Sequence, residues 1–227
     1  MAKMDEFREE REAMKHAPLK ERLAYFWEYN KLETMIAIFA IVSIISITVT
    51  VLGKKDVLLE GMILNRFWME MEGVDCESIT QDYMEYREMD PDQYDLMLNG
   101  SLNYFPGNED TIIEENVNVL QLVAASCTAQ ALDFIVAEPA TLHEFDKGQY
   151  FQDLRLVLTE EQIEAYDEYL IYSEINTDVP IMLDITGCEK IEEVYAYKHD
   201  ALAFGVIANA PHTEELISFA DYLMEQK

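Results

Sequence analysis

Basic side chains are scarce in this sequence. Its 227 residues include 16 lysines and arginines against 45 aspartates and glutamates, which gives a formal net charge of −29 at pH 7. Most of the excess lies after residue 34, where 37 acidic side chains stand against nine basic ones, a net of −28. A domain this acidic repels the phosphate backbone of nucleic acids, so we expect no nucleic-acid partner.

Cysteine and histidine are also few, and their spacing excludes the common metal motifs. Cys76, Cys127 and Cys188 lie far apart, and the sequence has no C-x-x-C pair and no cysteine–histidine set with zinc-ligand spacing. We therefore predict no metal and no cofactor. If the domain is exported, two of the cysteines could form a disulfide. Cys127 lies in the apolar run LVAASCTAQAL and is predicted to be a small core residue.

Catalytic motifs are missing too. The sequence contains no P-loop, no G-x-S-x-G and no H-E-x-x-H. The segment MDPDQYD, from Met89, begins like a calcium loop. Counted from Asp90, however, the sixth position is Asp95 rather than glycine and the twelfth is Ser101 rather than glutamate. We predict an Asp-Pro turn there, and we predict that the protein is not an enzyme.

The sequence does contain one long uncharged run, MIAIFAIVSIISITVTVL, from Met35 to Leu52. As a helix these 18 residues would be about 27 Å long, close to the hydrocarbon thickness of a bilayer. Aromatic side chains at residues 25–29 precede the run, and Lys54 and Lys55 follow it, as is typical of membrane interfaces. We predict a transmembrane helix over residues 35–53 that serves as an uncleaved signal anchor.

The basic residues that flank this run predict its orientation. Four of them precede it (Lys15, Lys20, Arg22 and Lys31) and three follow it (Lys54, Lys55 and Arg66). This balance favours a cytoplasmic N-terminus. We therefore expect a single-pass protein of the cell membrane, with a cytoplasmic juxtamembrane helical segment over residues 1–34 and an extracellular domain over residues 54–227.

Strand-like and helical patterns alternate after the apolar run. The predicted strands are DVLLEGMILN, YDLMLNGSLNYF, LDFIVAE, VPIMLDI and ALAFGVIAN, with EYLIY as a further short strand. Three predicted helices cover residues 76–89, about 108–130 and 141–147, and Asn108 is the predicted N-cap of the second. A fourth starts at Thr159 with a capping box to Gln162, and the last is TEELISFADYLMEQ. This order indicates an α/β domain with a mixed sheet of about five strands.

Two longer segments carry a family resemblance. LDFIVAEPATLHEFDKGQYFQDLRLVLTEE and AFGVIANAPHTEELISFADYLMEQ resemble the extracellular solute-binding proteins of ABC transporters. LAYFWEYNKLETMIAIFAIV resembles the N-terminal anchor of small single-pass proteins from Gram-positive bacteria. About 170 residues follow the span, too few for two lobes, so the resemblance implies a reduced periplasmic-binding-protein-like domain.

The resemblance implies a membrane-tethered binding or interaction module that takes a small-molecule solute. In open α/β sheets, ligands bind outside the carboxyl ends of the strands. Asn65, Glu138 and Asn209 each follow a predicted strand, and we predict that they contact the ligand. The alternative is a structural or accessory subunit of a transporter-like membrane complex, with a membrane protein as partner and a vestigial cleft.

Overall fold

A computed structural model describes residues 18–20, 27, 31–66, 76–107, 114–196 and 198–227. The chain divides into two compact units, Met1–Lys54 and Lys55–Lys227. Most of the predicted juxtamembrane segment, its aromatic cluster apart from Trp27, and the predicted cap at Asn108 lie outside the described residues.

The first unit contains helix α1, Lys31–Leu52. Over Lys31–Thr50 its mean hydropathy is 2.3, and no residue of that window is buried. The hydroxyl of Thr50 donates to the carbonyl of Ser46 at 2.9 Å, so this polar group is satisfied within the helix. Among the described residues, α1 is the one helix long and apolar enough to cross a membrane. It begins four residues before the predicted start of the span.

The second unit is an α/β domain built on a six-stranded mixed sheet, which confirms the predicted class. The strands are β1 (Asp56–Ile63), β2 (Tyr94–Asn99), β3 (Phe134–Ala137), β4 (Leu170–Tyr172), β5 (Pro180–Asp184) and β6 (Ala203–Val206). Their order in the sheet is β2-β1-β3-β6-β5-β4. β1 pairs in parallel with β2 and β3, whereas β6 runs antiparallel to β3 and β5, and β4 antiparallel to β5.

Helices cover both faces of this sheet. They are α2 (Glu77–Tyr86), α3 (Glu114–Ala129), α4 (Pro139–Asp146), α5 (Glu160–Ala165), α6 (Glu189–Glu193) and α7 (Thr213–Glu225), with 3-10 turns at Leu154–Leu156 and Asp167–Tyr169. The capping box that opens α5 is confirmed, because Thr159 and Gln162 bond each other's backbone N–H groups. The predicted turn at Asp90 is also confirmed by a 2.9 Å bond from the Asp92 backbone N–H to the Asp90 carboxylate.

Strand β3 lies at the centre of the core and is buried on both sides. Phe134 and Val136 point into the cluster under α2 and α7, and Ile135 and Ala137 point into the cluster under α3 and α4. Burial of a large apolar side chain stabilises a fold by about 1.5–3 kcal/mol, and all four side chains of β3 are buried. Cys127 corrects one prediction: its side chain is only partly buried, at the margin of the second cluster.

Candidate functional site

The strand directions bring four strand ends together. β1, β2, β3 and β5 all point the same way, so they finish at one end of the sheet, here called the carboxyl end. β4 and β6 run the other way and finish at the opposite end. The carboxyl end is where an open α/β sheet commonly binds a ligand.

Asn65 follows β1 at the carboxyl end, as predicted, but it serves the fold. Its φ is 59°, a left-handed conformation that asparagine tolerates better than most residues. Its carboxamide oxygen accepts from the Tyr104 backbone N–H at 2.7 Å, and its carboxamide nitrogen donates to the Thr141 hydroxyl at 3.4 Å. The side chain is buried, so Asn65 ties the end of β1 to the loop after β2 and to α4.

Arg66 is the neighbouring residue, and sequence reasoning treated it only as a flanking charge. Its side chain is buried, and its Nε donates to the Val194 carbonyl at 2.8 Å. Its Nη1 lies 3.1 Å from the Cys76 sulfur. Gly100 lets the guanidinium pass, because a Cβ at that position would overlap it. No sequence pattern signals this role, since it depends on a glycine 34 positions away.

Glu138 is a predicted residue at the carboxyl end, and its carboxylate is accessible. It follows β3 directly and precedes Pro139, the first residue of α4. Its Oε1 lies 2.9 Å from Nδ1 of His199, a residue of the loop that leads into β6. The Glu138 side chain is 43% exposed, whereas the imidazole of His199 is 2% exposed and packs against the Tyr195 ring. The buried imidazole therefore holds the Glu138 carboxylate in place, with part of the carboxylate facing solvent.

Asn209 corrects the predicted site. It follows β6, which runs antiparallel to β3, so the structure places it at the opposite end of the sheet. There its carboxamide nitrogen donates to the Cys127 carbonyl at 2.5 Å. Asn209 therefore cannot meet a ligand held by Asn65 and Glu138, because the sheet separates them.

The opposite end of the sheet contains a second histidine–carboxylate pair that sequence reasoning missed. Asp133 is fully buried, and its carboxylate accepts from the backbone N–H groups of Glu60 at 2.7 Å and His212 at 3.0 Å. Nδ1 of His212 lies 2.9 Å from the same carboxylate. This group joins β1, β3 and the start of α7, and it leaves no oxygen facing solvent.

The described part of the second unit has open depressions on its surface. One groove of about 460 Å³ lies between β2 and α3, and a hollow of about 320 Å³ lies between β2 and α2. Another, of about 500 Å³, is lined by residues of α5 and of the segments on either side of it. The described residues contain no group of three or more side chains suited to hold a metal ion. All three cysteines are free thiols, and burial raises the pKa of Cys127 and Cys188.

The chain matches no protein-family model, no curated protein and no solved structure.

Proposed function

We propose that this protein is a membrane-tethered binding module, with α1 as its anchor and its α/β domain outside the cytoplasm. The observation that carries the proposal is the Glu138–His199 pair at the carboxyl end of the sheet. The half-exposed carboxylate of Glu138 is held by the buried imidazole of His199, so it is a fixed hydrogen-bond acceptor. It lies at the end of the sheet where α/β proteins bind ligands.

The charge of the domain narrows the class of solute. Residues after position 34 have a net charge of −28, which disfavours anionic ligands. The second carboxylate oxygen of Glu138 has no partner among the described residues, so it can accept from an ammonium or hydroxyl group. We therefore infer a small solute that carries amines or hydroxyls, in keeping with the resemblance to solute-binding proteins.

The domain would work as a single lobe. Its described residues form one sheet, so they do not supply two lobes that could close around a solute. Capture would then be shallow and weak unless a partner covers the site. We propose that this single lobe is a reduced periplasmic-binding-protein-like domain.

Thermal-shift measurements on the full chain in detergent test the binding role. The probes are amino acids, diamines, sugars and short peptides, each at high concentration. A ligand at a hundred times its dissociation constant adds about 2.7 kcal/mol of stability. We expect Glu138→Gln to abolish the shift, because the amide removes the charge but still accepts from His199.

The matched control is Asn209→Ala at the opposite end, which we expect to leave the ligand shift unchanged. The binding role is wrong if no probe raises the melting temperature and crosslinking in membranes captures one constant protein partner. That result would support the second candidate function, a structural or accessory subunit of a membrane complex. The exposed apolar side chains of Leu156, Tyr172 and Ile175 favour this candidate.

Topology is tested separately with reporter fusions. Alkaline phosphatase joined after Lys227 should be active in a bacterial host, because the enzyme matures only outside the cytoplasm. An inactive phosphatase fusion together with an active cytoplasmic reporter at the same position would reverse the proposed orientation without affecting the binding site.

A further inference from the structure

Strand β2 has one side without a strand partner. It lies at the edge of the sheet and pairs only with β1 among the described residues. Natural proteins commonly protect such edges with lysine, proline or a very short strand. β2 is six residues long, and its sequence YDLMLN contains neither lysine nor proline. The Leu96 carbonyl accepts from the Thr80 hydroxyl at 3.1 Å. The other backbone N–H and C=O groups on the outer side of β2 have no strand partner among the described residues and can pair with an added strand.

The two faces of β2 are covered unequally. Leu96 is buried in the core cluster that includes residues of α2. Met97, which points to the other face, is 48% exposed. It lines the groove of about 460 Å³ between β2 and α3, together with Met62, Leu122 and Leu132. The groove thus offers an apolar floor over β1 and β2, on the same face of the sheet as Met97.

Two carboxylates border this floor. Glu60 is the register partner of Met97 on β1, and Asp95 lies two residues before Met97 on β2. Within the described chain, neither carboxylate has a hydrogen-bond or ion-pair partner. Lys55 lines the neighbouring hollow beside Asp95, but no ion pair joins the two residues. The border of the groove is therefore acidic, in a domain that is already strongly acidic.

The acidic border of the groove determines which kind of segment can pair with β2. A second copy of this chain would bring its own Asp95 and Glu60 to the same surface and add another net −28, so like charges would oppose pairing. A cationic segment meets complementary charge instead. We propose that β2 binds an extended segment of a partner protein as an added strand, with apolar side chains in the groove and lysine or arginine beside Glu60 and Asp95.

Synthetic peptides test this proposal on the full chain in detergent. The probe is a fluorescent six-residue peptide, lysine-threonine-valine-threonine-lysine-threonine, matched in length to β2 and here called the lysine–valine peptide. Its lysines and its valine lie on one face of an extended strand, as Asp95 and Met97 do on β2. Fluorescence anisotropy should show saturable binding. The same peptide with glutamate in place of both lysines should not bind. A lysine–valine peptide with N-methylated backbone amides keeps its charge but cannot pair with a strand, so we expect it to lose binding.

Two variants locate the site. Glu60→Gln with Asp95→Asn removes both carboxylates at partly exposed positions, and we expect it to weaken the lysine–valine peptide about tenfold. Met97→Lys places a positive charge over the groove and should abolish binding. Glu164→Gln, on the exposed surface of α5, is the matched control and should leave the affinity unchanged.

The outcomes separate strand addition from general attraction to an acidic protein. Equal affinity for the N-methylated peptide, equal weakening by Glu164→Gln, or no binding of the lysine–valine peptide would each overturn the proposal. The solute site is not involved, since β2 meets the peptide along its side and Glu138 follows β3. Failure of one proposal therefore leaves the other standing.

Discussion

The two ends of the sheet each contain a histidine–carboxylate pair, with burial reversed between them. At the carboxyl end, the carboxylate of Glu138 is 43% exposed and the imidazole of His199 is 2% exposed. At the opposite end, Asp133 is 0% exposed and His212 is 35% exposed. The nitrogen–oxygen distance is 2.9 Å in both pairs. A buried carboxylate must be satisfied by the fold, whereas an exposed one can exchange partners with water or a ligand. The same chemical pair therefore satisfies a buried carboxylate at one end and leaves a carboxylate accessible at the other.

The largest expected effect is that of Asp133→Ala. The substitution leaves the buried N–H groups of Glu60 and His212 without an acceptor and removes the partner of the His212 ring. We expect a loss of about 3–5 kcal/mol in the free energy of unfolding. Urea unfolding of the full chain in detergent, followed by circular dichroism, measures the loss.

Glu138→Ala is the comparison, and it should cost less than about 1 kcal/mol because its carboxylate is solvated. If Asp133→Ala does not fold, Asp133→Asn provides the measurement, since it retains one acceptor oxygen and should lose a smaller amount. Equal costs at the two ends would remove the contrast between the pairs.

Much of the fold could be predicted from the sequence, because it follows from local patterns. Local patterns identified the strands, because β3 and β5 are continuous apolar runs and α7 repeats apolar residues at helical spacing. Thr159 and Gln162 form the capping box that their spacing indicates. The five-residue helix α6 escaped prediction because it is too short to show a period. The sheet has six strands rather than about five, because the short segment at Leu170–Tyr172 does pair with β5.

The candidate site was harder to predict than the fold. Asn65 and Glu138 do lie at the same end of the sheet, whereas Asn209 does not. Strand direction caused the error, because nothing in the residues of β6 indicates that it runs antiparallel to β3. Partners distant in sequence, such as His199 for Glu138 and His212 for Asp133, follow from chain topology and were not visible locally.

Asn65 is an exception to the contrast between the two ends, because it is a buried polar residue at the carboxyl end. It lies at the carboxyl end, yet its buried side chain accepts from the Tyr104 backbone N–H and its φ is positive. We expect Asn65→Ala to cost about 2–3 kcal/mol, from the lost acceptor and the strained backbone. Asn65→Gly relieves the strain and should cost about 1 kcal/mol less. Equal unfolding free energies for the two variants would show that the backbone conformation contributes nothing.

A carboxylate of intermediate exposure should give an intermediate effect. Glu215 is 15% exposed and accepts from the Tyr83 hydroxyl at 2.6 Å, while Arg87 approaches it at 3.0 Å. Tyr83→Phe removes one bond but leaves the arginine in place, so we expect a loss of about 1 kcal/mol near neutral pH.

The pH dependence of this loss identifies its source. Burial, followed by the hydrogen bond to Glu215, raises the pKa of the Tyr83 hydroxyl above its ordinary value of 10.0. The stabilisation from a raised pKa is fully present below pH 10 and decreases as pH rises towards the folded-state pKa, because the unfolded chain ionises first. The difference between wild type and Tyr83→Phe should therefore shrink above about pH 10. A difference that stays constant with pH would mean that Tyr83 ionises equally in both states.

The smallest expected effect on stability is that of Glu138→Gln at the carboxyl end. The amide oxygen still accepts from Nδ1–H of His199, so only the outward charge is lost, and we expect a change below about 0.5 kcal/mol.

A double-mutant cycle of Glu138→Gln with His199→Gln should give a small coupling energy. The matching cycle of Asp133→Asn with His212→Gln should give a larger one, because that pair is cut off from solvent on the carboxylate side. Urea unfolding of all six variants measures both couplings. If the coupling at the carboxyl end equals or exceeds the other, Glu138 is committed to His199 as a fold-stabilising partner and is not free to bind a ligand.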